Sequence, residues 1–295
     1  MIVKSKKDKI DFIGIGSAKS GSSWLATCLI EHPQVNLPKE KSLFFFNADY
    51  GNEYIKDNWS YWSKGIDWYL SKFPPVEKGK IRGEFGVSYL HDPEAPQRIK
   101  DNFPDTKILV TLRNPCDMLY SLYWYNVNTV EAKVPETFEE AVKTGWCIDR
   151  GNYYKYLRRF FDLFPRKNIH VVIFDDIRNE PERVAFELYK FLEVDTSFKP
   201  SILDKKIYSA IGHRFWMFKQ LGYYMFAVLR ILKLEKVRRF LIDNPIFYAV
   251  YAKLNVVPKK YPPMEDGSRN KLRKVYRKDI KKLEKLVKHD LSAWL

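Results

Sequence analysis

The chain has 295 residues, 45% hydrophobic and 16% aromatic, which suits one large α/β domain with a buried core. Its three cysteines, Cys28, Cys116 and Cys147, exclude a disulfide scaffold and show no metal-binding spacing. A formal charge of +15 points to anionic partners: a nucleotide, an acidic substrate, nucleic acid or a membrane surface.

Residues 1–10, MIVKSKKDKI, form a basic lead-in with no long apolar stretch after it. The expectation is a chain without a secretory signal or membrane anchor, in a reducing cytoplasm. An apolar run from Phe12 to Ile15 then leads into Gly16, Ser17, Ala18, Lys19, Ser20, Gly21, Ser22 and Ser23, and a helical pattern begins at Trp24. This reads as strand, phosphate-cradling loop and helix. The glycines let the backbone turn its N–H groups onto an anion, and the helix points its positive end at the same place. Gly16 and Gly21 have the spacing of a Walker A loop, but Ser22 stands where that motif has lysine. The loop's lysine is Lys19, which argues against triphosphate hydrolysis. An ordinary Gly/Ser-rich turn is the alternative. The helix stops near His32-Pro33.

The next segment, PKEKSLFFFN (38–47), sets Lys39, Glu40 and Lys41 beside the apolar run Leu43–Phe46. It reads either as a core strand or as a cleft wall with a carboxylate aimed inward. Tyr54, Trp59, Tyr61, Trp62, Trp68 and Tyr69 follow, most of them packing, some available to line an acceptor site. KIRGEFGVSYL (80–90) reads as a short strand ending at Glu84 or Phe85, followed by His91 and a helix over 94–102. KILVTLR (107–113) reads as a buried parallel strand delivering Arg113 to its carboxyl edge, where open α/β sheets bind ligands. Pro115 opens a helix carrying Ser121. Arg113 and Ser121 form a candidate clamp for a second phosphate, the alternative being a structural arginine paired with an acid.

Residues 131–165 read as helical, with Arg150, Arg158 and Arg159. Ile169–Phe174 reads as a strand, with Asp175-Asp176 in a loop before a helix over 181–192. Residues 201–260 read as helical with apolar and basic faces. Their longest uncharged stretch, 220–229, is too short to span a bilayer, which leaves packing or peripheral membrane contact. A basic loop over 259–272, with Lys259, Lys260 and Arg269, precedes a last helix over 269–288.

Two anion sites on one sheet edge suggest a bisphosphorylated nucleotide. The combination GSAKSGSSWL (16–25), LRNPCDMLYSLYWY (112–125) and YRKDIKKLEKLVKHDLSAWL (276–295) resembles the PAPS-dependent sulfotransferases, and most of all their bacterial branch akin to heparan-sulfate-type enzymes. The resemblance covers nearly the whole chain and is weakest over 205–257. It implies an α/β fold of a single domain over 1–295, a P-loop NTPase-like parallel sheet flanked by helices, with 205–257 on the acceptor side. It implies sulfuryl transfer from PAPS to a hydroxyl, less readily an amine, of a small molecule, carbohydrate, glycolipid or lipid-like metabolite, with no metal required and no specific nucleic acid. The 5′-phosphosulfate falls to Lys19, Gly21, Ser22 and Ser23, within a cofactor-binding stretch that also includes Ser20 and Trp24. The 3′-phosphate falls to Arg113 and Ser121, with Arg269 as a further contact.

For the catalytic base, the family's glutamate stands before a Phe-Phe pair, a position that Ser42 or Lys41 occupies by direct counting. Glu40 reaches it with a longer loop and is the first candidate. His91, with its neutral titration range, and Glu84, in a segment like the family's G-E-x-S-P-x-Y, stand behind it. Two other classes compete: a nucleotide or small-molecule kinase with an altered P-loop, in which Asp175 would matter, and a basic nucleic-acid or membrane-surface binding module, for which no recognised motif is present.

Overall fold

The computed structural model describes residues 9–40, 42–48, 60–128, 134–203 and 261–295, with short pieces at 211–213, 228–229, 232, 234, 237 and 256–258. Lys41, Tyr54, Trp59, Lys259, Lys260 and most of 205–257 lie outside the described residues. The chain divides into two compact units. One comprises Met1–Leu119, Cys147–Ile207 and Arg269–Leu295; the other comprises Tyr120–Trp146 and Tyr208–Ser268.

The first unit is built on a parallel sheet. Its strands are β1 (Phe12–Gly16), β2 (Val35–Asn36), β3 (Ile81–Phe85), β4 (Lys107–Leu112) and β5 (Ile169–Ile173), in the order β2-β3-β1-β4-β5. Phe12 stands between Gly83 on one side and Lys107 on the other. FIGIG is buried throughout, as a central strand covered on both faces must be. The crossovers are helical: α1 (Ser22–Ile30), α2 (Gly65–Leu70), α3 (Ala95–Asn102), α4 (Pro115–Val127), α5 (Phe138–Thr144), α6 (Tyr153–Leu163), α7 (Phe174–Asn179) and α8 (Pro181–Leu192), of which α5 belongs to the second unit. Pro115 and Pro181 open their helices, where a missing N–H costs nothing. One core cluster joins Phe12, Trp24, Leu25, Cys28 and Leu29 to Val172, Phe174, Ile177, Leu188 and Tyr189. Burial pushes the Cys28 thiol up, and it pushes the Cys116 thiol up to about 11, so both behave as packing groups.

In the second unit, a short antiparallel pair joins β6 (Ile211–His213) to β7 (Val256–Pro258). Trp124 stacks on Tyr261 with ring centroids 5.1 Å apart, and the Tyr120 hydroxyl donates to the Pro262 carbonyl at 2.6 Å. The final helix, α9 (Asp266–Val287), starts three residues before the expected Arg269.

Three expectations change. The helical reading of 131–165 resolves into α5 and α6, because Gly145 ends α5 at φ 81° and a 3-10 turn occupies Ile148–Gly151. Leu43–Phe46 is a turn-bearing segment, not a strand, although Leu43, Phe45 and Phe46 are buried. Asp175 and Asp176 lie in the first turn of α7, not in a loop.

Candidate functional site

The loop after β1 is set by its neighbours. Gly16 has φ 122°, and a Cβ there would meet the Val87 carbonyl oxygen at 2.8 Å. The Ser17 N–H donates to the Thr111 carbonyl at 2.8 Å, and the Thr111 hydroxyl to the Gly16 carbonyl at 3.2 Å, so β4 holds the loop's first turn. Ser17 and Ser20, both fully buried, share a hydroxyl hydrogen bond of 2.8 Å. Ser20 thus staples the loop from inside. Lys19 takes the left-handed conformation at φ 62°, and Gly21, at φ 100°, caps α1. That helix opens with no side-chain cap and no acid in its first turn. Its positive end is left to an anion.

Arg113 leaves the end of β4 with its guanidinium 4.7 Å over the Phe174 ring and its Nη1 donating to the Lys19 carbonyl at 3.4 Å. Burial, and then the Arg113 charge, hold the Lys19 ammonium below its usual range. Burial likewise lowers Arg113, against the opposing pull of Asp117. Two desolvated cations beside a helix amino end fit a phosphate or sulfate group.

Tyr153, the first residue of α6, was not anticipated. Its buried hydroxyl lies near the Ser17 and Ser20 side chains and the Arg113 backbone without closing a hydrogen bond. Burial pushes it up to about 12. A tyrosine in a helical stretch of aromatic and basic residues carries no sign of this placement.

The remaining expected ligands are distributed unevenly. Ser22 is buried and Ser23 exposed at the start of α1. The Trp24 side chain is in the core cluster, and its backbone N–H donates to the Gly21 carbonyl at 2.9 Å. Ser121 is buried one helical turn beyond Asp117 on α4. Arg269 pairs with Asp117 at 2.9 Å, so an acid already holds it.

The three candidate bases have separate surroundings. Glu40 is 57% exposed and pairs loosely with Lys72 at 3.7 Å. Glu84 is 0% exposed and accepts from the Leu43 N–H at 3.4 Å and the Tyr89 hydroxyl at 3.1 Å. Burial raises its carboxyl to about 7. His91 meets the Arg150 carbonyl through Nε2 at 2.9 Å, while its Nδ1 is buried without a hydrogen-bond partner. Burial, then Arg150, push its imidazole down to about 3, so it stays neutral in the range where a histidine base would titrate.

Asp176 is drawn to Arg183 at 3.8 Å and His289 at 3.6 Å, and Asp175 accepts from the Trp294 indole at 3.4 Å. Phe45 packs with Trp62 and Tyr69, and Phe46 with Tyr69. Among the described residues no group of three or more His, Cys, Asp or Glu is arranged to hold a metal ion, and no helix is long and apolar enough to cross a membrane.

A parallel sheet whose central strand ends in a glycine-serine loop at a helix amino end, with an arginine delivered by the neighbouring strand, places these residues at the carboxyl edge where open α/β sheets bind ligands. The profile of the family described as sulfotransferase domain matches residues 9–215, and the chain belongs to that family. Bifunctional heparan sulfate N-deacetylase/N-sulfotransferase 4 of Mus musculus is 30% identical over 212 residues, 64% of this chain and 23% of that protein. Enzyme 3 of the same name and organism is 27% identical over 308 residues, 96% of this chain and 31% of that protein. The chain thus spans about a quarter to a third of the length of these relatives. The crystal structure of a sulfotransferase from Alicyclobacillus acidocaldarius shares the fold, with a TM-score of 0.70 and 24% identity, covering 97% of this chain and 98% of that one.

Proposed function

We propose that the protein transfers a sulfuryl group from PAPS to a hydroxyl, less readily an amine, of a carbohydrate, glycolipid or lipid-like acceptor. The observation that carries this reading is the pair of desolvated cations, Lys19 and Arg113, at the loop between Gly16 and Gly21. PAPS supplies the activated sulfuryl group. Lys19, with the amides from Gly21 to Ser23, holds the 5′ side of the donor. Arg113, with Ser121 further along the following helix, binds the 3′-phosphate, and Arg269 adds a contact on exchanging Asp117 for phosphate. The acceptor oxygen bonds to sulfur in line as the sulfur–phosphate oxygen bond breaks, and adenosine 3′,5′-bisphosphate departs. Glu40, the solvent-reachable carboxylate of the three candidates, takes the acceptor's proton. Lys19 and the start of α1 meet the charge on the leaving oxygen, chemistry that runs without a metal.

The finer placement, a P-loop NTPase-like enzyme of a bacterial, heparan-sulfate-like branch, rests on the motifs at 16–25, 112–125 and 276–295, and the cytoplasmic reading on three free cysteines without a disulfide pattern. Residues 205–257 belong, on this reading, to acceptor selection. The test is thermal stabilisation by adenosine 3′,5′-bisphosphate against ATP with magnesium. Stabilisation by the bisphosphate alone is expected. An equal response, or none, overturns the reading.

A further inference from the structure

Residues 42–48 make no strand ladder, yet Leu43, Phe45, Phe46 and Ala48 are buried. Buried amides need partners. Here they are found in the side chains of 84–92. The Leu43 N–H donates to Glu84 Oε2 at 3.4 Å, the Phe45 N–H to the Tyr89 hydroxyl at 3.0 Å and the Ala48 N–H to Asp92 Oδ2 at 2.7 Å. Ser42 donates from its hydroxyl to the Phe85 carbonyl at 2.8 Å, and Asn47 bonds to Ser88 at 2.9 Å. The Tyr89 hydroxyl in turn donates a hydrogen bond to Glu84 Oε1 at 3.1 Å, so one carboxyl group anchors two amides, one directly and one by relay. Between them Phe44 is held at φ 51°, a conformation that bulky residues rarely adopt.

The other side of 84–90 is bonded to β1. Glu84 stands beside Ile13 in the sheet, the Gly86 N–H donates to the Gly14 carbonyl at 2.7 Å, and the Leu90 N–H to the Ile15 carbonyl at 2.8 Å. The Tyr89 ring lies so close over Gly86 that a Cβ there would meet it at 2.0 Å. A single short stretch therefore grips the strand that ends in the Lys19 loop and the segment that follows Glu40. Packing alone would bury Phe45 and Phe46. A carboxylate inside an aromatic cluster is costly and is retained where it fixes a particular backbone path.

We propose that Glu84 and Tyr89 are positioning residues, which fix residues 42–46 against β1 and so set where the acceptor-side carboxylate stands relative to the phosphate loop. The catalytic half of this statement rests on the sulfotransferase reading; the mechanical half does not.

The test uses the full chain with Tyr89→Phe, which keeps the ring, and the pair Glu84→Gln and Glu84→Ala. Hydrogen exchange is followed over 42–48 and over 16–22, alongside stabilisation by adenosine 3′,5′-bisphosphate, kcat and the donor KM. In Tyr89→Phe, exchange over 42–48 rises while 16–22 and the bisphosphate response hold. Its kcat falls by about tenfold at constant donor KM, the effect of one buried hydrogen bond. Glu84→Gln, which still accepts from the Leu43 amide, retains more activity than Glu84→Ala. Unchanged exchange over 42–48 in Tyr89→Phe overturns the proposal, and so does a parallel loss of kcat and bisphosphate binding, the mark of a merely structural role. A wild-type protein that ignores the bisphosphate sinks the sulfotransferase reading instead, and the exchange measurement still decides whether Glu84 and Tyr89 brace the segment.

Discussion

Arg113 donates to the backbone carbonyl of Lys19, so the guanidinium and the ammonium are brought to one loop although they come from different strands. The Arg113 charge opposes the Lys19 ammonium, and burial is the larger cost to both groups. Lys19→Met removes one of the two charges. Its ligand-free melting temperature is expected to hold within about 2 °C of wild type, the shift of roughly a 1 kcal/mol change in a chain of this length. Stabilisation by adenosine 3′,5′-bisphosphate should shrink, and kcat should fall by roughly 100-fold or more, as for loss of a group that meets transition-state charge. Calorimetry with and without the bisphosphate checks the first two expectations, and a donor-saturated rate checks the third.

Glu40→Gln keeps size and polarity and removes the carboxylate proposed as the base. Turnover should fall by about 100-fold or more while the bisphosphate response is unchanged. The lost pairing with Lys72 is solvent-screened at 3.7 Å, so stability should hardly move. Full turnover in this variant would transfer the proton to another group.

Glu84 and His91 give stability slopes of opposite sign. The Glu84 carboxyl, among Tyr69, Tyr89 and the Leu43 amide, is raised to about 7 from its ordinary 4.5, burial being the main cause. Between those values the folded chain retains a proton that the unfolded chain has lost, so stability falls as pH rises through that window. The total is at most about 3 kcal/mol. His91 is lowered to about 3 from 6.5. Below pH 6.5 the unfolded chain takes a proton that the folded chain refuses, so stability falls as pH drops towards 3. The two slopes oppose each other between 4.5 and 6.5. Urea midpoints across pH 4.5–7.5 for wild type, Glu84→Gln and His91→Gln separate them. Parallel curves for Glu84→Gln and wild type would deny the carboxyl its raised value.

Gly21→Ala tests the shape of the loop. The residue stands at φ 100°, and a Cβ would meet Ile177 at 2.9 Å and Phe174 at 3.0 Å. Strain and crowding together should cost about 2 kcal/mol or more and weaken the bisphosphate response. A variant with wild-type stability and binding would show that neither constraint operates.

The parts of the molecule carried by local pattern were readable from the chain. Phe12–Ile15 with the glycines and serines after it announced β1, the loop and α1, and KILVTLR followed by Asn114-Pro115 announced β4, Arg113 and the helix beyond. Contacts between distant stretches were not readable. Nothing in SLFFFN says that its amides will be satisfied by Glu84, Tyr89 and Asp92, because side-chain-to-backbone bonds leave no periodicity. An acid in a strand reads as exposed unless its aromatic surroundings are known, and those come here from Tyr69 and Tyr89 together. His91 looked available for proton transfer because its type titrates near neutrality; its burial against Arg150 is a property of α6 and the turn before it, nearly sixty residues further on.

The central position of β1 bears on how the protein is made. A chain leaving the ribosome exposes FIGIG while the neighbours that Phe12 pairs with, Gly83 and Lys107, are still to be synthesised. An apolar strand with two open edges is a template for wrong pairing, and distant parallel pairing is slow to form. The Lys19 loop cannot take its shape before β4 brings Thr111 to it. Yield of active protein should therefore depend on how well β1 is shielded until β3 and β4 have been made, and slower synthesis at low temperature or a holding chaperone should raise it.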